Sequence, residues 1–168
     1  MIFVCTGSRE YQFNRLLREI DRLIEDGKIK EEVIAQIGGS SYIPKNYNYE
    51  RFMDAKRFEN LQDKADIVIA HGGTGAVIGA LKKKKQVIAV PRLAKYGEHI
   101  DDHQKQICGV LADQGLLVEV LKIKELNGAI KKLKKYPIIK IYNKESNVFV
   151  LVDQFIEKES KTTKKKYF

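Results

Sequence analysis

The sequence predicts an α/β domain: a parallel sheet covered by helices on both faces. Three observations lead there. ADIVIA (Ala65 to Ala70) and QVIAV (Gln86 to Val90) are apolar almost throughout, as strands buried on both sides require. A helical segment, AVIGALKKKK, lies between them, and strand-like and helix-like segments alternate along most of the chain. Glycines follow the strands, at Gly7 and at Gly72, Gly73 and Gly75, where a strand must turn sharply into a helix.

The elements follow in order. IFVCT (Ile2 to Thr6) reads as the first strand. Phe13, Leu16, Leu17, Ile20, Leu23 and Ile24 form one apolar stripe at helical spacing, and Gly27 stops that helix. VIAQIG (Val33 to Gly38) is a second buried strand. The segment GSSYIPKNYNY is loop-like, YERF is a candidate short strand, and a short helix runs to about Lys64. After the ADIVIAHGGTG strand and turn come the helix and QVIAVP strand already named. His99 to Gln114 is expected to be one helix, closed by Gly115. LLVEV is a further strand and Ile123 to Lys134 a further helix. IIKIYN reads as a loop or short strand, and NVFVLVDQFIEKE as a terminal helix. This gives one domain over 1–158 and a basic tail over 159–168.

Length and composition bound the function. A chain of 168 residues buries roughly 68–70% of the surface its unfolded form exposes, enough for a core without staples. Cys5 and Cys108 sit in apolar surroundings, which suits buried free thiols in a reducing compartment. MIFVCTG lacks the basic segment of a signal peptide, and no apolar run approaches the ~20 residues that span a bilayer. The net charge of +9 is concentrated in lysine blocks: Lys82 to Lys85, Lys131 to Lys135, and the end of the chain. These blocks form a solvated face or meet an anionic ligand or membrane surface. They lack interleaved aromatics and no nucleic-acid module accompanies them, so nucleic acid is not expected as a partner.

Ligands of open parallel sheets bind beyond the C-terminal ends of the strands. Three features fall there. Gly7, Ser8 and Arg9 form a turn with a cation beside it. In HGGTG, Gly72, Gly73 and Gly75 admit close backbone approach, Thr74 is expected to cap the next helix, and the first-turn N–H groups would receive a phosphate. The spacing is neither that of a Walker A loop nor GxGxxG. The third feature, PRLAKYGEHIDDHQ, concentrates Arg92, Glu98, His99, Asp102, His103 and Gln104. On a helix His99 and His103 would share a face beside Asp102. That pattern could ligate zinc, but the glutamate of HExxH and any nearby cysteine are missing, and no metal is expected. Glu98, Asp102 and Gln104 offer hydrogen bonds to sugar hydroxyls, and Gly97 would let the loop fold over a ligand. A charged surface loop is the plain alternative.

With these residues assembled, MIFVCTGS…FNRLLREID, ADIVIAHGGTGAVIGAL and PRLAKYGEHIDDHQKQ resemble the Alg13-like proteins, which match the C-terminal, donor-binding half of family 28 glycosyltransferases. Capsule and exopolysaccharide subunits of the PssE and Cps14G type are the look-alikes. The resemblance covers about residues 1–122. It implies a Rossmann-like half of a GT-B fold whose other half is a membrane-associated partner of the Alg14 or PssD type. The pair would move a sugar from a UDP-sugar to a lipid-linked acceptor at the cytoplasmic membrane face, without a further cofactor. His71 to Gly75 would then lie near the donor phosphates. Glu98, His99, Asp102, His103 and Gln104 would lie near sugar and ribose, with Gly7 to Arg9 and Arg92 beside them. His71, His99 and His103 are the candidate bases for an inverting displacement, unless the partner supplies the base. Arg9 stands where relatives often carry a histidine, and Gly79 and Ala80 where many carry a glutamate. These departures keep a second expectation open, that of a non-catalytic accessory subunit. A stand-alone hydrolase is a third.

Overall fold

A computed structural model describes residues 1–143. Six strands form one sheet in the order β3-β2-β1-β4-β5-β6, and every pair is parallel. They are β1 (Ile2–Cys5), β2 (Val33–Gln36), β3 (Asn48–Glu50), β4 (Ile67–Ala70), β5 (Gln86–Ala89) and β6 (Val118–Glu119). Five helices connect or follow them: α1 (Asn14–Glu25), α2 (Ala55–Lys64), α3 (Thr74–Lys82), α4 (His103–Asp113) and α5 (Leu126–Lys135). The architecture is the Rossmann-like parallel sheet of the C-terminal half of a GT-B fold.

Side chains of successive strand residues enter opposite cores, which is why the strands need apolar residues throughout. Ile2, Val4, Ile69 and Ile88 pack with Leu16, Leu17 and Ile20 of α1 and with Ile130 and Leu133 of α5. Phe3, Val68 and Val87 pack on the other face with Leu61 of α2, Val77 of α3 and Leu111 of α4. Each fully buried Leu, Ile or Phe contributes about 1.5–3 kcal/mol by leaving water. Helix α1 ends as the sequence requires. Gly27 takes a left-handed φ of 65°, the Lys28 N–H bonds the Leu23 carbonyl, and the Gly27 N–H bonds that of Ile24. No helix among the described residues is long and apolar enough to cross a membrane.

The strand expected at YERF lies slightly upstream, at Asn48–Glu50, as an exposed edge. IIKIYN carries no strand or helix through residue 143, and the expected terminal helix, the boundary at 158 and the basic tail lie outside the described residues. The helix expected from His99 begins only at His103. The cause lies in the preceding side chains. Glu98 Oε2 accepts the Leu93 N–H at 3.1 Å and Asp102 Oδ1 accepts the Ala94 N–H at 2.9 Å, while Gly97 turns the chain at φ 64°. The segment therefore folds back on itself instead of continuing α4 toward the N-terminus.

One ion pair pins this fold-back to the rest of the domain. Arg15 of α1 donates from Nε to Glu98 Oε1 at 2.7 Å and from Nη2 to the Pro91 carbonyl at 2.8 Å. Its guanidinium also lies 5.1 Å from the ring centroids of Phe13 and of Tyr96. Glu98 is 1% exposed, so removing it strands a cation and the Leu93 N–H. Glu98→Ala is expected to lower folding stability by about 3–5 kcal/mol, read from urea unfolding.

Candidate functional site

The strand order reverses between β1 and β4, and the loops after β1, β4 and β5 diverge there around an open cavity of about 890 Å³. The turn Gly7 to Arg9, the glycine turn His71 to Gly75, and Arg92, His99, His103 and Gln104 all line it. Glu98 and Asp102 do not. Their carboxylates are used inside the fold-back, as described above. His99 and His103 do not meet on one helical face. They meet through Asp101, which the sequence reading passed over.

His71 is the joint between the first two loops. Its backbone N–H and its Nδ1 both reach the Cys5 carbonyl, at 3.1 and 3.2 Å. A carbonyl only accepts, so Nδ1 carries the proton and Nε2 carries the lone pair. The ring packs against two glycines. A Cβ on Gly7 would lie 2.7 Å from His71 Nε2, and one on Gly73 would lie 2.3 Å from it. Gly72 is required as well. It has φ 80°, and a Cβ there would meet Cys108 Sγ at 2.9 Å. Burial, reinforced by the Arg92 charge, pulls the His71 pKa down to about 4, so the ring is neutral at pH 7.

Helix α3 starts one residue away from the expected arrangement. Gly73, not Thr74, is the N-cap, in an extended conformation, and no side chain caps the helix. Thr74 already has helical geometry, so its hydroxyl is not positioned as a cap. The N–H groups of Thr74, Gly75 and Ala76 consequently have no protein acceptor among the described residues. Gly75 differs from its neighbours. A Cβ there would meet nothing within 4 Å, so packing inside the chain does not require this glycine.

Arg92 forms part of the cavity wall, with 1% of its surface exposed. Its Nη2 donates to the Thr6 carbonyl and, at 3.1 Å, to that of Tyr11. Its backbone N–H bonds Gln104 Oε1 at 3.1 Å. Nε is buried with no partner among the described residues. Burial pulls this guanidinium down to about 10, with Glu98 opposing and Arg9 adding to the fall, and it stays cationic at pH 7. A helix N-terminus with unspent N–H groups and a buried cation thus share one cavity, the physical recipe for an anion site.

The opposite side of the cavity carries His99 and His103. The Asp101 carboxylate contacts both Nδ1 atoms, at 3.0 and 2.8 Å. Partial burial pushes Asp101 up, but hydrogen bonds from the His103 backbone and ring, with the charge of both rings, hold it below the usual carboxylate range. The sequence signal for this residue is the symmetric spacing His-x-Asp-x-His. Gln36, Phe58 and Glu59 also line the cavity. Gln36 could have been found as the polar end of an otherwise apolar strand. Among the described residues no group of three or more His, Cys, Asp or Glu could hold a metal ion, so the zinc pattern does not form. Both cysteines are buried and free. Burial pushes Cys5 up to about 12 and raises Cys108 as well, which leaves no reactive thiolate.

Comparison with known proteins gives a consistent picture. The sequence model of the glycosyltransferase family 28 C-terminal domain matches residues 1–162. No curated protein matches the chain in sequence. Among solved structures, ALG13 is similar with a TM-score of 0.56 at 18% identity, over 87% of this chain and 90% of that one. MurG of Acinetobacter baumannii gives 0.56 at 16% identity, over 78% of this chain and 40% of that one. UDP-GlcNAc 2-epimerase of Neisseria meningitidis, bound to UDP-GlcNAc, gives 0.60 at 12% identity, over 94% of this chain and 44% of that one. These likenesses show a shared fold. The chain spans less than half the length of the larger proteins it matches.

The His71 pKa, held near 4 in the fold against 6.5 as the ordinary value, has a consequence for stability. Between these values the unfolded chain binds the proton and the folded one does not, so stability falls as pH drops from 6.5 to 4. His71→Asn, which keeps a donor for the Cys5 carbonyl, removes this dependence. Across that window the wild type is expected to lose roughly 3 kcal/mol more than the variant, read from denaturant titrations at each pH.

Proposed function

The chain belongs to the glycosyltransferase family 28 C-terminal domain family, and from that premise we propose that it is the donor-binding subunit of a two-component transferase. The donor is a UDP-sugar and the acceptor a lipid-linked saccharide at the cytoplasmic membrane face, in capsule or exopolysaccharide synthesis. The observation that carries the donor assignment is the pairing of three unspent N–H groups at α3 with the buried Arg92 cation in one cavity. Among the described residues nothing accepts from these N–H groups, and a diphosphate would. The likeness to ALG13, over 87% of this chain and 90% of that one, supports a partner, assigned as a membrane-associated subunit of the Alg14 type.

The chemistry follows from charge. An acceptor hydroxyl attacks the anomeric carbon, the bond to the diphosphate oxygen breaks, and UDP leaves with the electron pair. Negative charge grows on the phosphate oxygens. Preorganised N–H groups of Thr74, Gly75 and Ala76, with Arg92, stabilise it in the transition state more than in the ground state. His71 is assigned a gripping role. A ring with a pKa near 4 is a weak base at neutral pH, but its Nε2 lone pair can accept from a donor hydroxyl. Gln104 reaches the same cavity and is assigned to the sugar, while Glu98 and Asp102 support the loop from behind.

A second reading, an accessory subunit that stabilises a partner transferase, is favoured by one observation. The first turn of α3 carries no acidic side chain, and the space beside Gly79 is taken by Gln62, whose Oε1 would lie 3.4 Å from a Cβ there. A transfer assay across several UDP-sugars, with the chain alone, the partner alone and both together, separates the readings. The donor-subunit reading expects transfer only with both. It also expects Gly75→Ala to keep the wild-type melting temperature, since the added methyl meets open space, while donor binding weakens on the order of tenfold, a loss of about 1.4 kcal/mol. A complex that stays fully active with Gly75→Ala and with Arg92→Met would instead assign the chain the accessory role.

A further inference from the structure

Two imidazoles beside the donor cavity share a single carboxylate. His99 Nδ1 lies 3.0 Å from Asp101 Oδ1, and His103 Nδ1 lies 2.8 Å from Oδ2. The carboxylate is itself fixed at the start of α4, where Oδ1 accepts the His103 backbone N–H at 3.1 Å. An ionised carboxylate only accepts, so Nδ1 of His99 carries the proton and its Nε2 carries the lone pair. The Asp101 N–H also approaches His99 Nδ1, but at 3.4 Å, and the shorter contact to a full charge decides the tautomer. His99 Nε2 has no protein partner among the described residues, and the ring rests against Tyr11 with centroids 5.3 Å apart. A ring held on one nitrogen, packed on one face and unbonded at the other nitrogen beside a ligand cavity is arranged to take a proton.

We infer that Asp101 is a positioning residue that holds His99 in the tautomer whose Nε2 removes the acceptor's proton, so that the base of the reaction belongs to this chain. The inference rests on the transferase reading above. In the step, Nε2 takes the hydroxyl proton and the oxygen's electron pair forms the new bond to the anomeric carbon. The bond from that carbon to the diphosphate breaks, and UDP leaves with its pair. Asp101 stabilises the imidazolium as it forms, and the proton then passes to water. The other titratable groups around His99 are His103 from α4, Tyr11 after β1 and His71 after β4. His71 is neutral at pH 7, Arg9 and Arg92 are cations lining the same cavity, and Asp101 is the carboxylate in contact with the ring.

The test uses Asp101→Asn. Its carboxamide oxygen, in the place of Oδ1, can still accept from the His103 N–H and from His99 Nδ1, but it no longer carries the charge that stabilises an imidazolium. In the ¹⁵N-histidine NMR spectrum of the full chain, His99 is expected as the Nδ1–H tautomer in the wild type. In the two-subunit assay with the best UDP-sugar from the survey, kcat should fall roughly 10²–10⁴-fold with donor KM unchanged. Asp101→Glu should recover part of the rate, and the pH–rate limb belonging to the base should vanish in His99→Gln. An unchanged kcat in Asp101→Asn, or a wild-type His99 that carries its proton on Nε2, would overturn the inference while leaving the transferase reading intact. A wild-type pair that moves no sugar from any donor would sink the transferase reading, and the base role with it.

Discussion

The site depends on one carbonyl. The Cys5 oxygen, at the last residue of β1, accepts both the backbone N–H and the Nδ1–H of His71. This double bond of acceptance ties the end of one central strand to the turn after the other. It fixes the imidazole in the gap between them, and the ring in turn dictates that Gly7 and Gly73 carry no side chain. With Gly73 bare and extended, α3 starts without a side-chain cap and its first N–H groups stay unspent. The anion-binding capacity of the cavity follows from a hydrogen bond made at the sheet.

What the sequence disclosed and what it hid follow from the same physics. Strands buried on two faces write themselves as apolar runs, so β1, β4 and β5 could be read residue by residue, and the glycine turn after β4 announced a close approach. The loop after β5 could not be read this way. Its conformation is decided by which acidic side chain bonds which backbone N–H, and Glu98, Asp101 and Asp102 are nearly interchangeable on paper. Two of them hold the loop together from inside and the third faces the histidines. A helical reading of His99 to Gln114 is reasonable by spacing, yet two short-range carboxylate contacts and one left-handed glycine outweigh helix propensity over the four residues before His103.

Charge is distributed less simply than the net value of +9 implies. Several lysines of the conspicuous blocks are engaged locally. Lys83 pairs with Asp63 at 2.8 Å, Lys85 bonds the Asp63 carbonyl at 2.6 Å, and Lys134 pairs with Glu31. They lie toward the N-terminal edge of the sheet, away from the cavity. Exposed charges more than about 8 Å away are largely screened at physiological salt. The attraction felt by an anion in the cavity therefore comes from Arg92, Arg9 and the α3 dipole, groups that a count of surface lysines does not reveal.

The unspent N–H groups at the start of α3 make this domain's stability a property of its surroundings as well as of its sequence. An anion that accepts from them stabilises only the folded chain, by an amount that grows with the logarithm of ligand concentration. Thermal denaturation would thus report on occupancy. On the donor-binding reading, the domain would be best protected from unfolding and proteolysis when its donor is abundant, which would couple its lifetime to the supply of what it binds.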